Sequence, residues 1–180
     1  MSAPEPLLRL PKVPTGLYGE IVVADALASL GFTVDMRGGG VKWSDGTADR
    51  DSIHLDIQVK CTSKASGAIH WAKPGADARF YADVAMAAGR VAVFIFAHAS
   101  NVERATMVDG EIRLPRPAIN LFATTAREYA DDVDAARTQY GQETYRRGAL
   151  KGQVKPESGL SFPVYADEYL TLTEFIDGLG

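Results

Sequence analysis

Cysteine is nearly absent. Cys61 stands alone in 180 residues, which excludes an internal disulfide and disfavours a thiolate zinc site. Histidine is scarce as well, and His54, His70 and His98 lack metal-ligand spacing. Metal chemistry in such a chain rests on oxygen donors, the preference of magnesium and manganese. No run of eighteen apolar residues occurs, and the opening Met-Ser-Ala-Pro-Glu-Pro lacks the basic start and apolar core of a signal peptide. The expectation is a cytoplasmic protein with no membrane contact. Positive charge is also short: the formal net charge of −4 excludes a basic footprint over the whole surface, though not a local one. Neither a Gly-x-Ser-x-Gly elbow nor a P-loop is present, nor any internal repeat, low-complexity tract or interdomain linker.

What remains is an ordinary globular composition, 46% hydrophobic and 23% charged, in a chain long enough for one real core. Residues 1–14 carry four prolines and read as an arm, and 15–180 as a single domain. A helix is expected from Thr15, its N-cap, to Gly31, with Leu17, Ile21, Ala24, Leu27 and Ala28 as its apolar stripe. Glu20 falls inside that stripe. A carboxylate there either has a partner or a task in the interior, or snorkels to water at the stripe's edge.

Phe32–Met36 reads as a strand, followed by Gly38-Gly39-Gly40 as a turn or a phosphate nest, and Asp45-Gly46 gives the sharpest hairpin signal. Lys64–Gly75 reads as a loop carrying His70 and Trp71. Asp77–Ala88 reads as a helix with Phe80, Tyr81, Val84 and Ala88 on its apolar side. Val91–Ala97 is apolar without alternation, the pattern of a central strand covered on both faces. Thr106–Val108 and Glu111–Leu114 flank Asp109-Gly110 as a hairpin. Thr125–Tyr140 reads as a peripheral helix with a Thr125/Glu128 capping box. Arg146, Arg147, Lys151 and Lys155 form a local basic run, either solvated surface or a phosphate-contacting flap. Leu160–Tyr165 then reads as a strand and Leu172–Leu179 as a helix capped by Thr171 and Glu174.

Ile53–Ser63 organises the rest. Strand periodicity puts Asp56, Gln58 and Lys60 on one face and Leu55, Ile57, Val59 and Cys61 on the other, with same-face residues ~6.5–7 Å apart. Any half-buried strand has a wet face. Here that face mixes an acid, an amide and a cation, which can lean toward one small object such as a metal ion with its water and a phosphate. Cys61, on the apolar side, reads as a small hydrophobe.

A helix containing Gly-Leu-Tyr-Gly-Glu, then Gly-Phe-Thr-Val, then a strand ending Leu-Asp-Ile-Gln-Val-Lys-Cys-Thr-Ser resembles the PD-(D/E)XK nuclease superfamily, and within it a bacterial branch of unknown function with a Gln-x-Lys strand. The similarity is best over residues 15–63; residues 115–158 have no counterpart and would be a helical and basic insertion. The resemblance implies an α/β fold with a mixed central sheet flanked by helices, a restriction-endonuclease-like core. It also implies Mg²⁺- or Mn²⁺-dependent cleavage of nucleic acid, DNA ahead of RNA, in restriction, repair or defence, by a homodimer. Lys60, Gln58, Asp56 and Glu20 would be the catalytic groups, and Asp56, Gln58, Glu20 and Asp35 the metal donors.

The family's aspartate lies on the strand paired with Gln-x-Lys, where this chain offers Lys42. If the hairpin turned between Thr47 and Ala48, Asp35 would stand across from Lys60. Asp56 shares a face with Gln58 and Lys60. Asp51 would lie ~23 Å from Gln58 on a continuous strand. The alternative is a catalytically inactive nuclease-like module that binds nucleic acid or a protein partner.

Overall fold

The computed structural model describes residues 14–37, 44–62, 68–71, 75–98, 105–113, 120–140, 148–151, 153 and 162–180, with the backbone alone at 68–71, 136–140 and 162–166. In chain order the elements are α1 (Thr15–Ser29), β1 (Thr33–Met36), β2 (Gly46–Arg50), β3 (Ile53–Thr62), β4 (Ala68–Trp71), α2 (Gly75–Ala87), β5 (Val91–His98), β6 (Thr106–Val108), β7 (Glu111–Arg113), β8 (Asn120–Thr125), α3 (Ala126–Tyr140), β9 (Phe162–Tyr165), β10 (Leu170–Thr171) and α4 (Leu172–Leu179). The central sheet runs β1-β2-β3-β5-β8-β10. Every neighbouring pair is antiparallel except β3–β5, where α2 makes the crossover that a parallel pair requires. The expected α/β class, a mixed central sheet between helices, is the fold observed. Among the described residues no helix is long and apolar enough to cross a membrane.

Both faces of the sheet are covered. On one, Val23 and Leu27 of α1 and Phe175 and Ile176 of α4 pack on Leu55, Ile57, Val59, Val93 and Ile95. On the other, Ala78, Tyr81, Ala82 and Ala85 of α2 and Ala126, Tyr129, Ala130 and Val133 of α3 pack on Ala92, Phe94 and Phe96. The doubly apolar β5 is buried from Ala92 to Ala97, as its lack of alternation predicts. The Asp109-Gly110 hairpin and the Thr171/Glu174 capping box also form as expected.

Several expectations fail for identifiable reasons. Pro14, not Thr15, is the N-cap of α1, and the buried face carries Tyr18, Gly19, Val22, Val23 and Leu27, while Leu17 and Ala28 are exposed. The helix is apolar around most of its circumference, so periodicity does not select a face. Gly19 does: a Cβ there would lie 2.5 Å from Cys61 Cβ, whereas one at Gly16 would meet nothing within 4 Å, so α1 seats on β3 at the glycine that faces the sheet.

In α2 the buried residues are small, Ala78, Ala82 and Ala85 around Tyr81, whereas Phe80, Val84 and Ala88 are exposed. Close packing on the sheet and α3 favours alanine over bulk. The Lys64–Gly75 stretch contains β4, paired with β9. α3 is not peripheral, since Tyr129 is fully buried over Phe94. β8, within the stretch expected to be an insertion, is a strand of the central sheet. Residues 1–13, Gly38–Gly40, Lys42, Arg146, Arg147 and Lys155, with the side chains of His70 and Trp71, lie outside the described set.

Asp45-Gly46 is not a hairpin turn. The chain reverses at Asp51-Ser52, where Asp51 takes φ 52°, and β2 begins at Gly46. A Cβ at Gly46 would fall 2.5 Å from the Asp35 carbonyl oxygen, so glycine serves close strand approach there.

Candidate active site

β2 pairs with β3 only over Gly46–Arg50 against Ile53–Ile57. Among the described residues, Gln58–Thr62 therefore continues with β5 as its only ladder partner, past the point where β2 starts. Asp45 stands at that point. Its N–H donates to Ile57 O at 2.7 Å and its carbonyl accepts from Arg37 N at 2.8 Å, while Ser44 Oγ donates to Gly46 O at 2.7 Å. With its backbone so fixed, the carboxylate turns toward β3, and Oδ2 accepts from Val59 N at 2.7 Å and, in a short hydrogen bond, from Gln58 Nε2. Gln58 is buried, and this bond satisfies one end of its amide.

Glu20 arrives from α1, next to the Gly19–Cys61 contact. Its carboxyl is raised above the ordinary range first by burial and then by the Asp45 charge, while the Lys60 ammonium pulls it back. Two carboxylates, an amide and an ammonium thus share one electrostatic neighbourhood. Arg50 ties β2 to α1, donating to Leu30 O at 2.8 Å with its guanidinium 4.5 Å over the Phe32 ring.

Of the residues selected from sequence, Glu20 and Lys60 lie within electrostatic reach of each other, and Gln58 is tied to Asp45, which also acts on Glu20. Asp56 shares the strand face but is paired with Arg90 at 3.3 Å, with 13% of its side chain exposed. Asp35 is not beside Lys60: β2 lies between β1 and β3, and Asp35 pairs with Thr47 on an exposed position. Asp51 is an exposed turn residue at the other end of the hairpin. Burial pushes the Cys61 thiol up to about 11, so it is protonated near neutral pH and no nucleophile.

The residue missed from sequence is Asp45. Asp45-Gly46 carries the signal of a turn, but the chain reverses at Asp51-Ser52, and this sets Asp45 beside Gln58.

The donor set suits a hard divalent cation. Glu20 and Asp45 supply carboxylates whose mutual repulsion a cation relieves, and the Gln58 amide supplies a neutral oxygen. Among the described residues no three His, Cys, Asp or Glu side chains cluster to hold a metal, so Gln58 and water would complete the shell.

No family model matches the chain, and no curated protein is significantly similar to it. Among solved structures it is similar to Hjc, a Holliday junction resolvase of the archaeal hyperthermophile Archaeoglobus fulgidus, at 16% identity and a TM-score of 0.49, over 91% of this chain and 97% of that one. That likeness is too distant to carry a residue, substrate or activity from one protein to the other.

Proposed function

We propose that this chain is a metal-dependent nuclease, hydrolysing phosphodiesters in DNA rather than RNA, in prokaryotic restriction, repair or defence. The observation that carries the reading is the Asp45–Gln58 hydrogen bond at the end of the β2–β3 ladder, with Glu20 in electrostatic reach of both Asp45 and Lys60. With Asp45 at the start of the strand paired with Gln58-x-Lys60, the arrangement supplies the aspartate that the PD-(D/E)XK resemblance requires, in place of Lys42 or Asp35.

Glu20, Asp45 and the Gln58 amide oxygen would hold Mg²⁺ or Mn²⁺. Such an ion, when bound, acidifies water and neutralises phosphate charge. Lys60 stabilises charge developing on the phosphate or orients the attacking water. Gln58 keeps its position neutral, because a third carboxylate against Asp45 and Glu20 would hold a proton instead of serving as an ionised ligand. With Asp45 drawing on the Nε2 end of the amide, the oxygen end is left for the cation.

The test is cleavage of mixed DNA and RNA substrates with Mg²⁺ or Mn²⁺ by wild type and Lys60→Ala. DNA cleavage by wild type alone, with both proteins equally folded, is expected. Equal cleavage by the variant would remove Lys60 from the mechanism.

A second reading, a silent module that binds nucleic acid or a protein partner, is favoured by the two N–H donors already on Asp45 Oδ2. Wild type that binds a partner tightly but takes up no cation would establish it. A homodimer accompanies the nuclease reading and is checked by sedimentation.

A further inference from the structure

Tyr81 lies under the candidate site and has no place in the chemistry above. It projects from α2 onto the same sheet face as Gln58: its ring meets Phe94 edge-on at 5.7 Å, and Phe94 is the ladder neighbour of Gln58. The residue is 3% exposed, and among the described residues its hydroxyl has Ser44 as its hydrogen-bonding neighbour without a bond of good geometry to it. Burial chiefly, and then the charges of Asp56 and Asp45, hold that hydroxyl in its protonated form, and Ser44 stands beside it. Asp56 is already neutralised by Arg90. Ser44 Oγ spends its proton on Gly46 O and keeps lone pairs to accept. A donor without a well-formed bond therefore sits, fully desolvated, beside Ser44, the residue that precedes Asp45.

A buried hydroxyl without a partner costs ~1–3 kcal/mol. Its phenylalanine counterpart would fill the same space without that cost, so the ring alone does not account for a tyrosine at this position.

We propose that Tyr81 is a positioning residue of the cation site, its hydroxyl donating to Ser44 Oγ and so bracing the Ser44–Gly46 segment when a divalent cation draws on the Asp45 carboxylate. The inference rests on the nuclease reading's cation site and deepens it. Partners behind metal-binding carboxylates typically govern affinity by 10–100-fold.

Calorimetric titration with Mn²⁺ of wild type, Tyr81→Phe, Ser44→Ala and the double variant tests it, with the melting temperature of each recorded. Tyr81→Phe should bind Mn²⁺ ~10-fold more weakly while melting at the same temperature or higher. The double variant should be no weaker than Ser44→Ala alone, because both changes cut one chain of hydrogen bonds. Wild-type affinity in Tyr81→Phe would overturn the proposal and leave the cation site standing. Additive losses would overturn the route through Ser44. Absence of Mn²⁺ binding by wild type would overturn the cation site itself, and the role of Tyr81 with it.

Discussion

Asp45 and Asp56 are two acids on one polar face, and their surroundings divide the work between them. Asp56 lies within the paired part of β3 and is met by the Arg90 guanidinium at 3.3 Å, so its charge is answered inside the fold. Asp45 lies just outside β2, where pairing ends, and among the described residues its carboxylate accepts from two neutral N–H groups, one from the Val59 backbone and one from the Gln58 amide. Neutral donors orient a carboxylate without cancelling its charge. A carboxylate so held can still attract a cation, whereas one paired with arginine would first have to release it. Position along the strand therefore matters more than sharing a face with Lys60.

The largest effect should follow from Asp45→Asn. It removes the charge while retaining an acceptor, and DNA cleavage in Mg²⁺ or Mn²⁺ should fall by at least ~10³-fold with folding retained. Substantial cleavage by this variant would remove the distinction between the two acids. Next, Lys60→Ala should lower the single-turnover cleavage rate by ~10²–10³-fold, with cation affinity little reduced. A variant that instead loses the cation but cleaves normally once saturated would make Lys60 a structural neighbour only.

Asp56→Asn sharpens the other side. Breaking a partly exposed ion pair should cost about 1 kcal/mol, or ~2–4 °C in melting temperature, with cleavage within about twofold of wild type. A collapse of activity at unchanged stability would return Asp56 to the metal site.

The smallest effect concerns Glu20, whose folded carboxyl is raised by burial and by Asp45. A raised carboxyl favours the native state below the ordinary carboxyl value and loses that contribution as pH rises through the folded value. Without divalent cation, Glu20→Gln should melt ~1–2 °C above wild type at pH 7 and level with it at pH 3. A variant less stable than wild type at pH 7 would mean that the Lys60 attraction outweighs the other two influences.

Much of the fold was legible because its signals are local. The unalternating run at Val91 marks a strand buried on both faces, Asp109-Gly110 marks a turn, and Thr171 with Glu174 marks a helix start. The alternation of β3 likewise separated Gln58 and Lys60 from Leu55, Ile57 and Val59. Helix faces were harder, since α1 is apolar nearly all round and its seating is decided by Gly19 meeting Cys61, a contact between residues distant in sequence.

The site was half legible for the same reason. Gln58 and Lys60 follow from one strand's period, but Asp45 depends on where a hairpin reverses. Asp45-Gly46 is the stronger turn dipeptide, yet Asp51 adopts the left-handed conformation and turns the chain, while Gly46 serves close strand packing. A reversal at Thr47-Ala48 would set Asp35 across from Lys60; the observed one leaves Asp35 against Thr47 and sets Asp45 beside Gln58.

The most direct measurement is Mn²⁺ calorimetry on wild type, Asp45→Asn and Asp56→Asn side by side. The expected result is binding by wild type and Asp56→Asn with near-equal affinity, and none by Asp45→Asn. Retained binding in Asp45→Asn, with loss in Asp56→Asn, would contradict the assignment of the cation to Asp45 at the end of the β2–β3 ladder.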